Sequence, residues 1–153
     1  MKKILFICQG NICRSPAGMF YLRYKLKELG IDSEYEVTSA ALEMSTKGMD
    51  MENQMKAELD KHNIPYTTHS AHKLNPREFL EQDYVLYMEA YQRIEISRIM
   101  SNNHMEKAHR LYDYTGVEKD ILDPYMSGDY KTACDEIIEA VDAFIQLEIK
   151  NKK

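Results

Sequence analysis

The chain has 153 residues, of which 44% are hydrophobic and 29% are charged, and its formal net charge is −5. These values predict one globular domain over residues 1–153 and exclude a disordered or fibrous chain. The negative charge disfavours general binding to nucleic acid or to anionic membranes, although it permits a local anion site.

The first predicted element is a strand at 2–8, where KKILFIC forms a near-continuous apolar run. Such runs are typical of strands buried on both faces of a sheet. The apolar part, residues 4–8, is too short for a secretory signal peptide, and no stretch approaches the roughly 20 residues of a membrane-spanning helix. Three cysteines are too few for a disulfide-stapled secreted domain. We therefore expect a cytoplasmic protein without membrane insertion.

Helical patterns alternate with further strands along the rest of the chain. The later strands are predicted at 35–40, 83–88 and 107–113. Apolar residues at helical spacing predict helices at 16–29, 51–62, 91–102 and about 129–149. Gly30 is expected to end the first helix as a C-terminal cap. This order predicts an α/β fold: a single three-layer domain whose four-stranded parallel sheet has helices on both faces.

The last predicted helix carries a regular apolar stripe. Its members are Cys134, Ile137, Ile138, Val141 and Ile145. A buried cysteine usually behaves as a small hydrophobic residue. We therefore predict that Cys134 packs in the core and does not belong to a functional site.

The segment CQGNICRSP, residues 8–16, joins the first strand to the first helix. Ligands of parallel sheets bind beyond the carboxyl ends of the strands, where this segment lies. Six successive residues without proline offer their backbone N–H groups, and Gly10 can adopt a conformation closed to other residues. Ser15 and Pro16 fit the N-cap and first position of a helix whose N-terminus faces the loop. Arg14 adds a guanidinium that matches two phosphate oxygens, so we predict a phosphate-binding loop.

Cys8 is the candidate nucleophile of this loop. Converging N–H groups, a helix N-terminus and Arg14 all favour the thiolate over the thiol. A thiolate there would lie beneath the phosphorus that it attacks. Ser15 could donate its hydroxyl to the sulfur and ease its departure later. None of the five histidines forms a metal-ligand cluster with carboxylates, so no metal and no other cofactor is predicted.

The chain resembles the low-molecular-weight protein tyrosine phosphatases. The resemblance rests on ILFICQGNICRSP, residues 4–16, and on ILDPY, residues 121–125. It implies that Cys8 forms a phosphocysteine, that Arg14 and the loop amides bind phosphate, and that Asp123 is the general acid and then the general base. It also implies phosphotyrosine-containing proteins as substrates and inorganic phosphate as the product.

The resemblance assigns supporting roles to further residues. Asn11 would brace the loop, with Ser39 and His69 as partners in its hydrogen-bonding network. Tyr125 would stack on the substrate ring. Cys13 would form a protective disulfide with Cys8. The other loop positions with a supporting role are Gln9, Gly10, Ile12 and Ser15.

The chain also departs from the family pattern. Ser45 occupies the place of an expected aromatic wall residue, and Met126 replaces an aromatic that often follows Tyr125. Glu89 stands where the family usually has aspartate, and Ala41 stands where glycine is frequent. We therefore expect one side of the substrate cleft to be lower or more open.

Three alternative functions remain on the same fold. Arsenate reductases need an additional downstream cysteine pair, whereas this chain has only Cys134. Protein-arginine phosphatases typically carry threonine where this chain has Ile12. A non-catalytic phosphate-binding module would be expected to lose Cys8 or Asp123, and both are present. The oligomeric state is expected to be a monomer or a weak homodimer.

Overall fold

The computed structural model describes residues 1–151, so the last two residues of the predicted domain lie outside the described residues. Four strands form one sheet in the order β2-β1-β3-β4, and every neighbouring pair is parallel. The strands are β1 Lys2–Cys8, β2 Tyr35–Ala41, β3 Tyr84–Tyr87 and β4 Ala108–Arg110. The predicted four-stranded parallel sheet is therefore confirmed.

The helices surround the central strands on both faces of the sheet. They are α1 Arg14–Glu28, α2 Asn53–Lys61, α3 Pro76–Leu80, α4 Ala90–Ile99, α5 Pro124–Ser127 and α6 Tyr130–Phe144, which continues as a π-helical segment over Ile145–Lys150. Short 3₁₀ turns lie at Asp32–Glu34, Met105–Lys107 and Leu111–Thr115. The short helices α3 and α5 were not predicted. None of the helices within residues 1–151 is long and apolar enough to span a bilayer.

Alternation along β1 divides its side chains between two cores. Phe6 and Cys8 point into the larger core, which α1 and α6 cover, and Leu5 and Ile7 point into the smaller core beneath α3 and α4. All four side chains are buried. Because side chains alternate across a strand, burial on both faces requires a continuous apolar run, as the sequence of β1 has.

The start of α1 corrects the predicted capping. The N-cap is Cys13 and the helix begins at Arg14, so Ser15 is a helical residue and not the cap. The Ser15 hydroxyl instead bonds to atoms of the preceding loop. At the other end, Gly30 has φ of 73° and donates its N–H to Lys27, so it ends α1 as predicted.

The last strand is shorter than the predicted span 107–113. Its pairing covers only Ala108–Arg110, because the chain turns into a 3₁₀ helix at Leu111. Leu111 and Tyr112 are neighbours in sequence and both pack into the larger core. A continuing strand would place them on opposite faces, so the shared burial requires the turn.

The other predicted helical patterns are confirmed in position. The stripe of α2 is buried, and so are Cys134, Ile137, Val141 and Ile145 of the last helix. Ile138 is partly buried against the same core. Cys134 is 1% exposed on the inner face of α6, as the apolar stripe indicated.

Candidate active site

Cys8 ends β1 at the carboxyl edge of the sheet and is buried. Its Sγ receives the backbone N–H groups of Asn11 at 3.3 Å and Ser15 at 3.4 Å. The hydroxyl of Ser15 lies 2.9 Å from the same sulfur. Three donors therefore converge on one sulfur, and each stabilises a negative charge on it.

Asn11 supplies the unusual backbone conformation of the loop. Its φ is 57°, in the left-handed region, whereas Gly10 does not have a positive φ. The expectation that Gly10 turns the loop was therefore wrong. Asparagine tolerates this conformation because its short polar side chain bonds locally. Gly10 instead lets Thr46 approach the loop closely. A Cβ at Gly10 would lie 3.3 Å from Cγ2 of Thr46, whose Oγ1 donates to the Gly10 carbonyl at 2.6 Å.

The fully buried Asn11 side chain links the loop to its support. Its Nδ2 donates to Ser15 Oγ at 2.8 Å, and its Oδ1 accepts the backbone N–H of His72 at 3.3 Å. Because Ser15 Oγ accepts this bond, the serine proton is free to point at Cys8 Sγ. His72 was not predicted as a support, since its contribution comes from the backbone.

His69 and Ser39 were both predicted to join this network, and the structure separates them. His69 Nε2 lies 2.8 Å from the Asn11 carbonyl, to which it must donate because a carbonyl only accepts. Burial lowers the pKa of His69 from its ordinary value. Ser39 is buried in β2, and its hydroxyl has no hydrogen-bond partner within residues 1–151. The structure does not connect Ser39 to Asn11.

Arg14 is 1% exposed and is held from behind. Its Nη1 donates to Glu89 Oε2 at 2.7 Å and to the Ile121 carbonyl at 2.6 Å, and its Nη2 lies 3.7 Å from Asp123 Oδ2. Burial alone lowers the pKa of Arg14, but negative charge on Cys8 and the bond to Glu89 outweigh it, so the pKa is raised. The guanidinium therefore stays charged beside the loop.

Glu89 is a site residue that the sequence reasoning missed. It is the N-cap of α4 and forms a capping box with Gln92. The fully buried Gln92 accepts the backbone N–H groups of Met88 at 2.8 Å and Glu89 at 3.0 Å. These bonds fix the backbone from which the Glu89 carboxylate reaches Arg14. The one signal in the sequence is the acidic residue that follows β3, where the family usually has aspartate.

Asp123 lines the cleft at the N-cap of α5. Its Oδ1 accepts the backbone N–H of Tyr125 at 3.0 Å, and 41% of its side chain is exposed. The partly exposed carboxylate can exchange protons with solvent and with a bound substrate. Tyr125 is 73% exposed and lines the same cleft.

The cleft above Cys8 has a volume of about 300 Å³. Its predicted lining residues are Cys8, Gln9, Gly10, Ile12, Cys13, Arg14, Asp123 and Tyr125. Glu43, Thr46 and Glu52 line it as well and were not predicted. All three follow β2 in the chain, and each forms a hydrogen bond to a loop residue, so only the folded arrangement places them beside the loop. Ser45 and Met126 are exposed and do not line the cleft.

The cysteines are free throughout the part of the chain that the structure describes. Cys13 lines the cleft yet is 4% exposed. Burial raises the pKa of its thiol well above the ordinary value, and the negative charges of Cys8, Glu52 and Asp123 raise it further. The predicted pairing of Cys8 with Cys13 stays a prediction. Across residues 1–151, no three His, Cys, Asp or Glu side chains are arranged to hold a metal ion.

Comparison with known proteins gives a consistent picture. A family model described as low molecular weight phosphotyrosine protein phosphatase matches residues 3–153. Low molecular weight phosphotyrosine protein phosphatase 2 of Drosophila melanogaster is 31% identical over 125 residues, which cover 80% of this chain and 75% of that protein. The Schizosaccharomyces pombe relative, named low molecular weight phosphotyrosine protein phosphatase, is 27% identical over 128 residues and covers 82% of each chain. The crystal structure of YfkJ from Bacillus subtilis superposes with a TM-score of 0.95 at 23% identity and covers 100% of this chain and 98% of that chain.

Proposed function

The chain belongs to the low molecular weight phosphotyrosine protein phosphatase family, and on that basis we propose that it hydrolyses phosphotyrosine in proteins through a phosphocysteine on Cys8. The observation that carries the proposal is the set of three donors around Cys8 Sγ, beside a charged Arg14. This arrangement supplies a nucleophile and a phosphate cradle at one place.

The first proposed step transfers the phosphoryl group to the enzyme. The Cys8 thiolate attacks phosphorus in line, so an S–P bond forms as the bond from phosphorus to the tyrosine oxygen breaks. Asp123 gives its proton to that oxygen, and neutral tyrosine leaves. Arg14 and the loop amides bind the equatorial oxygens, where negative charge is spread in the transition state.

The second proposed step releases inorganic phosphate. Asp123, now a carboxylate, takes a proton from a water molecule, whose oxygen attacks phosphorus as the S–P bond breaks. The electrons of that bond return to Cys8 as the thiolate. The Ser15 hydroxyl supports the departure of the sulfur, since Asn11 occupies the acceptor side of its oxygen and leaves its proton free.

The proposal also covers the binding of the substrate ring, protection of Cys8 from oxidation and the cellular compartment. Tyr125 is the proposed stacking surface for the substrate ring, because it is exposed at the cleft. Cys13 is the proposed partner of Cys8 in a reversible disulfide that limits over-oxidation. Free cysteines in the described residues suit the reducing cytoplasm, where we place a monomer or weak homodimer acting on phosphotyrosine-containing proteins.

The proposal is tested with three phosphopeptides, carrying phosphotyrosine, phosphoserine or phosphoarginine, in the presence of EDTA. We expect phosphate release from phosphotyrosine alone. Cys8→Ser should abolish turnover while the protein still folds and binds phosphate, whereas Cys134→Ala, which changes a core thiol outside the cleft, should stay active. Preference for the phosphoarginine peptide would show that the substrate is phosphoarginine and not phosphotyrosine. An active Cys8→Ser variant would refute the assignment of Cys8 as the nucleophile.

The role of Asp123 has a separate test. In Asp123→Ala, kcat/KM, which reports the step that expels the leaving group, should fall more for aryl phosphates with poor leaving groups than for those with good ones, because only the former need a proton to depart. Equal losses across a series of substituted phenyl phosphates would contradict the general-acid assignment.

A further inference from the structure

The cleft carries more negative than positive charge. Among its lining residues within the described chain, Glu43, Glu52 and Asp123 are acidic and Arg14 alone is basic. The charge of Arg14 is already matched by Glu89 at 2.7 Å. A phosphate group adds further negative charge, so the rim around it favours cationic neighbours and disfavours anionic ones.

Glu43 is fixed on this rim by a chain of hydrogen bonds. Its Oε2 accepts Gln9 Nε2 at 3.1 Å, and its Oε1 accepts the hydroxyl of Ser45 at 2.7 Å. Gln9 Oε1 in turn accepts the hydroxyl of Tyr91 at 2.9 Å. Both carboxylate oxygens of Glu43 are therefore hydrogen-bonded, which orients the group on the rim.

Glu52 holds a second carboxylate on the cleft through independent contacts. Its backbone N–H donates to the Ile12 carbonyl at 2.8 Å, and its Oε2 accepts the hydroxyl of Tyr130 at 2.7 Å. The negative charge of Glu52 acts within the loop. It raises the pKa of Cys13, although less than burial and the charge of Cys8 do. Two tethered carboxylates thus flank the phosphate cradle.

We propose that the cleft selects phosphotyrosine sites that have lysine or arginine next to the phosphotyrosine, with Glu43 as the specificity-determining residue. This inference rests on the proposed phosphotyrosine phosphatase activity. Asp123 is committed to proton transfer in that proposal, and Glu52 bonds to the buried Tyr130. Glu43 bonds instead to the exposed Ser45, so we assign the role to Glu43. A cationic side chain beside the phosphotyrosine pairs with it, whereas an acidic one is repelled.

The test uses three phosphotyrosine peptides of one sequence, in which both residues flanking the phosphotyrosine are Lys, Ala or Glu. Exposed charge pairs contribute modestly, so we expect kcat/KM to fall by about two- to five-fold from Lys to Ala, and again from Ala to Glu. The differences should shrink in 0.5 M salt, because the ionic atmosphere screens exposed charges. The effect should lie in KM, since the flanks do not enter the chemical step.

Substitutions of Glu43 test whether this residue causes the preference for the Lys peptide. Glu43→Gln should reduce the ratio between the Lys and Glu peptides, and Glu43→Lys should invert it. The matched control is Glu81→Gln, which removes an equal charge from an exposed residue at the end of α3, beside the amino ends of the strands and away from the cleft. It should leave the ratio unchanged.

p-Nitrophenyl phosphate separates the two hypotheses, because it has no flanking residues. Hydrolysis of this compound with equal kcat/KM for the three peptides would overturn the inference and leave the proposed function standing. Failure to hydrolyse either it or any peptide would overturn the proposed function, and the inference with it. A preference for the Lys peptide that Glu43→Lys fails to reduce would remove Glu43 from the specificity role.

Discussion

Replacing Glu89 tests how Arg14, the proposed phosphate-binding residue, is held. In Glu89→Ala, Arg14 Nη1 loses its 2.7 Å carboxylate partner and keeps only the Ile121 carbonyl at 2.6 Å. The guanidinium is 1% exposed, so water does not easily replace the lost acceptor. We expect the planar group to turn away from the phosphate oxygens, towards Asp123, which lies 3.7 Å from Nη2.

The magnitude follows from the geometry of the pair. Breaking a fully buried ion pair costs about 3–5 kcal/mol. Here Glu89 is 14% exposed and Asp123 still faces Arg14, so a hydrogen bond to a charged group, about 1.5–3 kcal/mol, is the better guide. Because each 1.36 kcal/mol changes a rate tenfold, kcat/KM should fall about 10- to 150-fold. Glu89→Gln keeps an acceptor oxygen without the charge and should lose less.

The assay measures kcat and KM separately, with phosphate inhibition and thermal unfolding beside them. A positioning defect should weaken phosphate binding and lower kcat in a protein that still unfolds cooperatively. Glu95→Ala, on the same helix α4 but without a bond to Arg14, is the matched control. If Glu89→Ala remained folded with unchanged kcat and phosphate affinity, the reasoning that Arg14 depends on Glu89 would be refuted.

Two further predictions concern packing and pH. In Gly18→Ala, the new Cβ would lie 2.8 Å from Cδ1 of the buried Phe6 ring. Overpacking of about 2 kcal/mol, less a helix-propensity gain of about 1 kcal/mol, leaves a net loss of about 1 kcal/mol, so Tm should fall by about 2–4 °C. A rise in Tm would show that the Phe6 ring moves aside without loss of stability. Because burial lowers the pKa of His69, the unfolded chain binds a proton more readily than the folded protein, and stability is lost as pH falls through about 6.5. Urea titrations at pH 7.5 and 5.0 should therefore show a smaller loss in His69→Gln than in the wild type; the opposite shift of His72 is common to both proteins. Equal losses would contradict this assignment.

The loop at residues 8–16 shows which features of the site can be predicted from local sequence. Its position, the anchoring of Cys8 at a strand end and the nearness of Arg14 follow from local order along the chain. The choice of Asn11 over Gly10 for the left-handed residue does not, because both residue types tolerate that conformation. The side-chain bonds from Asn11 to Ser15 and from His72 to Asn11 decide it.

The contacts of Glu43 and Glu89 cannot be predicted from local sequence patterns. Glu89 lies 75 residues from Arg14 along the chain, and Glu43 lies 34 residues from Gln9. Periodicity identifies faces of helices and strands, but it contains no information about which distant loops meet. The carboxyl ends of parallel strands bring these loops together, so the sheet order decides their partners.

By itself, the sequence determined the positions of the four strands, the four longer helices and their layering, since apolar runs and helical spacing are local consequences of what each segment must bury. It also predicted a phosphate-binding loop, because Cys8 and Arg14 are close in the chain. The tertiary structure alone decided what surrounds that loop: Glu89 behind Arg14, Asp123 at 3.7 Å from Arg14, and Glu43 on the rim. The physical reason is that hydrogen bonds and charge pairs act over a few ångströms, and only the folded chain sets which distant residues lie within that reach.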